Sequence, residues 1–268
     1  MESKKTNKKV IALILAIALL VIAAIGGTMA YFTDKDSAEN TFTVGNVKID
    51  LIEQQENEDG TALEDYTNPK VLNPIVGSAQ GEKDALGQPT AKNYVDKIVT
   101  VKNTGKNDAY VRAYFAIPSA LDDGYETFNP GLNVLHFNFG NYKDGTTLKS
   151  TFGNQWIWQP GKDGKDWKYY ETKIDGVAYN VYYADYYKTL PAGKTTEQLL
   201  SGVYLDKNVD MKDGKYIDTR KPDADLSILE GEVKLPVMAV AVQADGFDSA
   251  DAAVTAAFGA NYDPFNAK

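Results

Sequence analysis

"KIVTVKNTGKNDAYVRAYFAIP", residues 97–118, reads as two β-strands around a turn, at 98–102 and 109–117. In the second run Val111, Ala113, Phe115 and Ile117 fall on one face, and Tyr110, Arg112 and Tyr114 on the other. That period of two belongs to a strand. "NTGKND" supplies residues that favour a turn. The same alternation recurs outward along the chain. Leu135, Phe137 and Phe139 alternate with Val134, His136 and Asn138. In "VAYNVYYADYY", 177–187, Tyr179, Val181 and Tyr183 share one face, and Tyr182 and Tyr186 the other. Asp175-Gly176 just before it predicts a type I′ hairpin turn, which needs positive φ at both central residues. With "QWIWQ" preceding, residues 155–187 are expected to form a three-stranded meander inserted into a smaller sandwich.

Towards the C-terminus, "EVKLPVMAVAVQA" is an apolar strand. "DSADAAVTAAFG" is a short helix, capped by Asp248 or Ser249 and ended by Gly259. Residues 53–93 are polar and loop-like, with Val71-Leu72 and Ile75-Val76 expected to be buried and "NPIVG" a short edge strand. Residues 190–206 read as a loop with one helical turn at 195–200. Many short alternating runs with turn signals between them predict a mainly β fold: an antiparallel, two-sheet, jelly-roll-like β-sandwich with a few short helices.

Composition narrows the functional classes. At 268 residues the chain can bury a sizeable core, and it has no cysteine, which excludes disulfides and thiolate metal sites. The net charge is -9; residues 1–30 contribute +3, so the remainder carries -12. Such a surface repels nucleic acid, whose binding depends on neutralising phosphates. Lys4, Lys5, Lys8 and Lys9 precede an unbroken apolar run at 10–25, and Thr28-Met29-Ala30 fits a small-x-small cleavage site. Residues 1–30 are therefore expected to be a signal peptide cut between Ala30 and Tyr31, with 31–268 the exported domain. The alternative is an uncut anchor, the one expected membrane contact, although the run is short for a span of about 20 residues.

The junction "GGTMAYFTDKDSAENTFTVGNVKIDLIE" resembles the start of the TasA/camelysin family, exported proteins processed by SipW-type signal peptidases. The residues that carry the resemblance are Gly26, Gly27, Ala30, Tyr31, Phe32, Thr33, Asp34, Asn40, Phe42, Gly45, Val47 and Ile49, about the first fifth of the chain. The resemblance implies a SipW-type peptidase during export, a Gram-positive source, and a secreted structural protein of the biofilm matrix or cell surface. It also implies partners that are further copies of the chain or related matrix proteins. Its fibre-forming members assemble by lending an N-terminal segment to the next subunit's sheet, a form of strand addition. The assembly strand would then draw on Tyr31, Phe32, Phe42, Val44, Gly45, Val47 and Ile49, with 31–40 the lent part. A disordered terminus is the alternative for 31–40. Val47, Ile49 and Leu51 have opposite parity to Phe42 and Val44, so a bulge at Gly45-Asn46 is expected to bring both sets to the core.

The resemblance to camelysin also brings a metalloprotease activity into view. The residues argue against it, because His136 is the one histidine and no HExxH occurs. No catalytic residue, metal ligand or cofactor is assigned, and the protein is expected not to be an enzyme. Calcium is the one ion the acidic loops invite, at Asp206 or around Asp34 and Asp36, but Met211 and Ile217 break the EF-hand pattern. Trp156, Trp158 and Trp167 are candidate glycan contacts or hairpin packing residues. They support the rival reading, a monomeric glycan-binding or adhesin module.

Overall fold

The computed structural model describes residues 33–37, 40–42, 47–122, 133–139, 141–144, 147–150, 155–159 and 168–266. Among the described residues it is mainly β, with two large antiparallel sheets, two further two-stranded sheets and no barrel. The strands are β1 (Thr33–Ser37), β2 (Asn40–Phe42), β3 (Ile49–Glu56), β4 (Leu63–Asp65), β5 (Val95–Asn103) and β6 (Ala109–Pro118). They continue with β7 (Leu135–Phe139), β8 (Asn141–Asp144), β9 (Thr147–Ser150), β10 (Trp156–Trp158), β11 (Tyr170–Ile174) and β12 (Val177–Tyr186). β13 (Leu200–Leu205), β14 (Val209–Lys212), β15 (Lys215–Asp218) and β16 (Val237–Gln243) lead to helix α1 (Ala250–Phe258). Among the described residues the larger sheet has seven strands, ordered β10–β12–β6–β16–β1–β2, with β11 also on β12. The smaller is ordered β4–β3–β5–β13–β7.

The two strands of residues 97–118 do not pair with each other. β5 pairs with β3 and β13 in the smaller sheet, while β6 pairs with β12 and β16 in the larger one. The turn between them is a corner of the sandwich. Asn103 holds that corner: its side-chain amide donates to the Asn107 and Leu190 carbonyls at 2.8 and 2.9 Å. Both sheets then turn one face inward. Val111, Ala113, Phe115 and Ile117 of β6 meet Val99 and Val101 of β5 in the main core. β12 adds Tyr182 and Tyr186, and β16 adds Val237, Ala239 and Ala241.

The apolar character of β16 on both parities has a separate cause. Its outward Val240 and Val242, with Tyr114, Tyr179, Val181 and Tyr183, form a second core under α1. Ser249 caps that helix, its Oγ accepting from the Ala252 N–H at 3.1 Å, and Gly259 ends it at φ 89°. Asp175 and Gly176 take φ values of 50° and 85° and join β11 to β12, as Asp-Gly in an alternating run predicts.

Several expectations need correction. Residues 155–187 are not a meander: β10 and β11 lie end to end along one side of β12 and both pair with it. β12 is also an integral strand of the main sheet through β6, not part of an insertion. The aromatic run of β12 has two buried faces, which a peripheral hairpin would not give. Residues 195–200 form no helical turn. Thr196 and Leu199 donate backbone bonds to Val101 and Val99, guiding the chain into β13, a central strand. Of the apolar pairs in the polar stretch, Ile75 is buried, but Val71 and Val76 are 76% and 60% exposed. "NPIVG" makes isolated bridges, Pro74 to Leu205 and Val76 to Lys92.

β13 carries a register shift at Gly202, and the Tyr94 ring lies directly over that residue. A Cβ there would overlap the ring. Gly202→Ala is therefore expected to cost about 1–3 kcal/mol. Urea unfolding will read it, and adding Tyr94→Ala should make the glycine substitution nearly neutral relative to Tyr94→Ala alone.

Candidate assembly site

The sequence places the first strand beside its most apolar neighbour. β1 runs antiparallel along β16, from Thr33 opposite Val242 to Ser37 opposite Met238. β2 folds back on β1, pairing Lys35 with Phe42 and Ser37 with Asn40. The two strands hold only five and three residues, and β2 is the last strand of that sheet among the described residues. Each backbone hydrogen bond contributes about 0.5–1.5 kcal/mol net, so so short a ladder is weakly held. β16 on its other side is locked to β6 over seven residue pairs. Removing β1 would leave β16, buried on both faces, with an open row of backbone donors and acceptors. That is a receptive edge.

The first strand is therefore paired within its own chain. "TFTVGNVKIDL" is not one strand: Phe42 belongs to β2 in the larger sheet, and Ile49 opens β3 in the smaller one. Between them the chain passes from the larger sheet to the smaller one. Val47 and Ile49 are fully buried in the main core. Ala30, Tyr31, Phe32, Val44, Gly45 and the bulge expected at Gly45-Asn46 lie outside the described residues, as do the side chains of Asp34, Asp36 and Phe42.

The tryptophans go elsewhere. Trp156 and Trp158 are 3% and 9% exposed and belong to the main core. Trp156 lies opposite Tyr186, with ring centroids 5.3 Å apart, and its Nε1–H donates to the Glu197 carbonyl at 3.1 Å. Neither ring has a face free for a sugar. The exposed residue of β10 is Ile157. Trp167 lies outside the described residues.

His136 is a structural clip. Its Nε2 is 2.8 Å from Asp206 Oδ2, and its ring stacks on Tyr204 at 5.2 Å. Arg220 contacts Asp206 at 3.1 Å and Asp218 at 2.7 Å, and donates to the Asn133 carbonyl. Burial pushes the Asp206 carboxyl up, but bonds from Asn208, His136 and the Arg220 charge outweigh it and hold it below the usual range. The first carboxylate of the would-be calcium loop is thus already occupied by protein donors. The cluster pins the β14–β15 hairpin to β7. Its turn, Asp213-Gly214 at φ 51° and 78°, carries the same sequence signal as Asp175-Gly176.

A third cluster sits under α1. Arg112 Nε and Nη2 donate to Asp185 at 2.6 and 3.0 Å, Nη2 also reaches Asp251 at 2.9 Å, and the guanidinium lies 4.2 Å from the Tyr183 ring centroid. Burial alone would lower the Arg112 pKa, yet the bonds and charge of Asp185 more than offset it, and the net direction is upward. No group of three or more His, Asp or Glu side chains is placed to hold a metal ion among the described residues. Among them, too, no helix is long and apolar enough to cross a membrane.

No curated protein and no solved structure matches the chain. Residues 4–57 match the family model described as camelysin metallo-endopeptidase, a span that ends just past β3. That match covers only the N-terminal fifth of the chain, which is similar there to the camelysin family.

Proposed function

We propose that this is a secreted structural protein of the extracellular or biofilm matrix, or of the cell surface, that assembles into fibres by exchanging its N-terminal strand. The observation that carries the reading is the position of β1, a five-residue strand filling the β16 edge near the start of the chain. A strand so placed and so weakly held can leave its own sheet and fill the same slot in a neighbour. The register and hydrogen bonds would be unchanged, so the cost of exchange is small. Head-to-tail exchange need not close, and it produces filaments rather than discrete oligomers. Cleavage after Ala30 by a SipW-type peptidase would free the strand from the membrane.

On this reading the chain is not an enzyme, whatever the description of the matching family, and it needs no cofactor. The single histidine is held against Asp206 and Tyr204, which supports a structural role for it. Burial of Trp156 and Trp158 removes the main support for the glycan-binding alternative. The test compares residues 31–268 with 41–268 by electron microscopy and size-exclusion chromatography. The longer chain is expected to form filaments and the shorter to form none. Equal filaments from both would refute strand donation by this segment.

A further inference from the structure

An apolar cleft of about 300 Å³ opens at the end of the sandwich where β5 and β16 begin. Val95 of β5 and Val203 of β13, both in the main core, form its floor. Leu72, Leu229 and Leu235, each half-buried against that core, wall it together with Tyr216 of β15. Its lining holds one cation, Lys70, and one anion, Glu232. Two large apolar side chains at the cleft stay in water. Val71, in the lining, is 76% exposed. Met211, 56% exposed, lies opposite Tyr216 in the β14–β15 ladder and so on the same face of that hairpin. Single exposed apolar side chains are ordinary on a protein surface, but gathered at an apolar cleft they mark an interaction site.

The position of the cleft identifies the molecule that covers it. Leu235 lies three residues before Met238, the residue of β16 that Ser37 faces at the end of β1. A strand lent to β16 in the same register therefore ends beside the cleft. In its own subunit the chain turns back there. β2 runs along β1, and the path leads to Val47 and Ile49 at the opposite end, where Ile49 pairs with Asn103 at the corner. A lent strand cannot follow that path to its end, because the recipient's own Val47 already fills the place at 0% exposure. Among the described residues β2 pairs only with β1, so no other strand draws the lent chain back. The lender's own Val47 follows Ser37 by ten residues, at most about 35 Å of extended chain. Its domain must then sit close to the end of β16 that bears the cleft.

We propose that this cleft is the docking site for a second copy of the chain, the one that lends its β1, and that apolar burial there drives assembly. The inference rests on the strand exchange proposed above and adds its second contact. Exchange alone leaves the β1–β16 bonds as they were, so it offers nothing to set against the translational and rotational freedom that each joining subunit loses. A filament therefore needs a contact that the monomer lacks. Covering Val71, Met211 and the leucine walls of the cleft supplies one. The covering surface is the start of the lender's domain, beside Val47. The joint unites two different surfaces, one at each end of the sandwich, as an open-ended filament requires.

The experiment places Val71→Asp and Met211→Asp together in residues 31–268, in chains that also carry Asp34→Cys or Ala241→Cys so that a disulfide reports strand exchange. Both substituted apolar side chains are exposed, so the urea midpoint of the monomer should not move. The concentration needed for filaments is expected to rise about tenfold or more, with the cross-link still present in whatever assembles. Assembly at the unsubstituted concentration, with the cross-link, would overturn the docking site and leave strand exchange standing. Filaments without the cross-link would overturn strand exchange, and this inference with it. Amide hydrogen exchange of the chain with Val71 and Met211 intact gives a second reading. Residues 231–235 should exchange about tenfold more slowly in filaments than in the monomer. Equal exchange in the two, whether the cleft is open in both or covered in both by its own chain, would overturn the proposal.

Discussion

A chain carrying Arg112→Met is expected to lose about 3–5 kcal/mol of folding stability, because the substitution leaves a buried carboxylate without its partner. Asp185 is 5% exposed and its Oδ1 lies 2.6 Å from Arg112 Nε. Nothing else in reach replaces a bidentate guanidinium, since Gln159 Nε2 gives Asp185 a single bond at 3.3 Å. The double variant Arg112→Met, Asp185→Leu should recover much of the loss, because neither charge then has to be stripped of water. Asp251, the third member, has a side chain 67% exposed, and Asp251→Ala should cost no more than about 1 kcal/mol. Urea unfolding of the three variants separates these outcomes. A small loss for Arg112→Met would mean that the ion pair does not organise the interface between α1 and the sheet.

Trp156→Ala is expected to cost about 3–5 kcal/mol, the range for emptying a buried aromatic site. The indole fills the main core beside Tyr186, and its N–H is the donor to the Glu197 carbonyl. The Tyr186 hydroxyl bonds the Glu197 carboxylate, so the cavity would loosen a second contact as well. The signature is a lowered unfolding midpoint. A variant that kept its stability while losing affinity for a polysaccharide would instead restore the glycan-binding reading.

The sheet content of this chain was legible because its alternation is strict. The two faces of β6 and of β12 sort into the two cores as their parity predicts, and the Asp175-Gly176 turn and the Ser249 cap fall where their chemistry requires. What could not be read was which strand pairs with which. Alternation fixes a strand's faces but not its neighbours. A turn such as "NTGKND" can close a hairpin or cross between sheets with the same residues, and here it crosses. For the same reason β10, β11 and β12 looked like a meander in chain order. Residues 195–199 carry helix-tolerant residues, yet their backbone is drawn to β5 by tertiary contacts that local propensity does not encode. The position of β1 was half legible: the junction motif marked the segment, but only the fold supplies the β16 edge that receives it.

The most direct test of the assembly account uses the absence of native cysteine. One population carries Asp34→Cys and a second carries Ala241→Cys, residues that lie opposite each other in the β1–β16 register. The two are mixed, allowed to assemble, and oxidised. Strand exchange predicts disulfide-linked heterodimers in filaments and none in the monomer fraction, where each chain's β1 occupies its own β16 edge. Filaments that form without that cross-link would show that β1 stays in its own subunit, and would contradict the account.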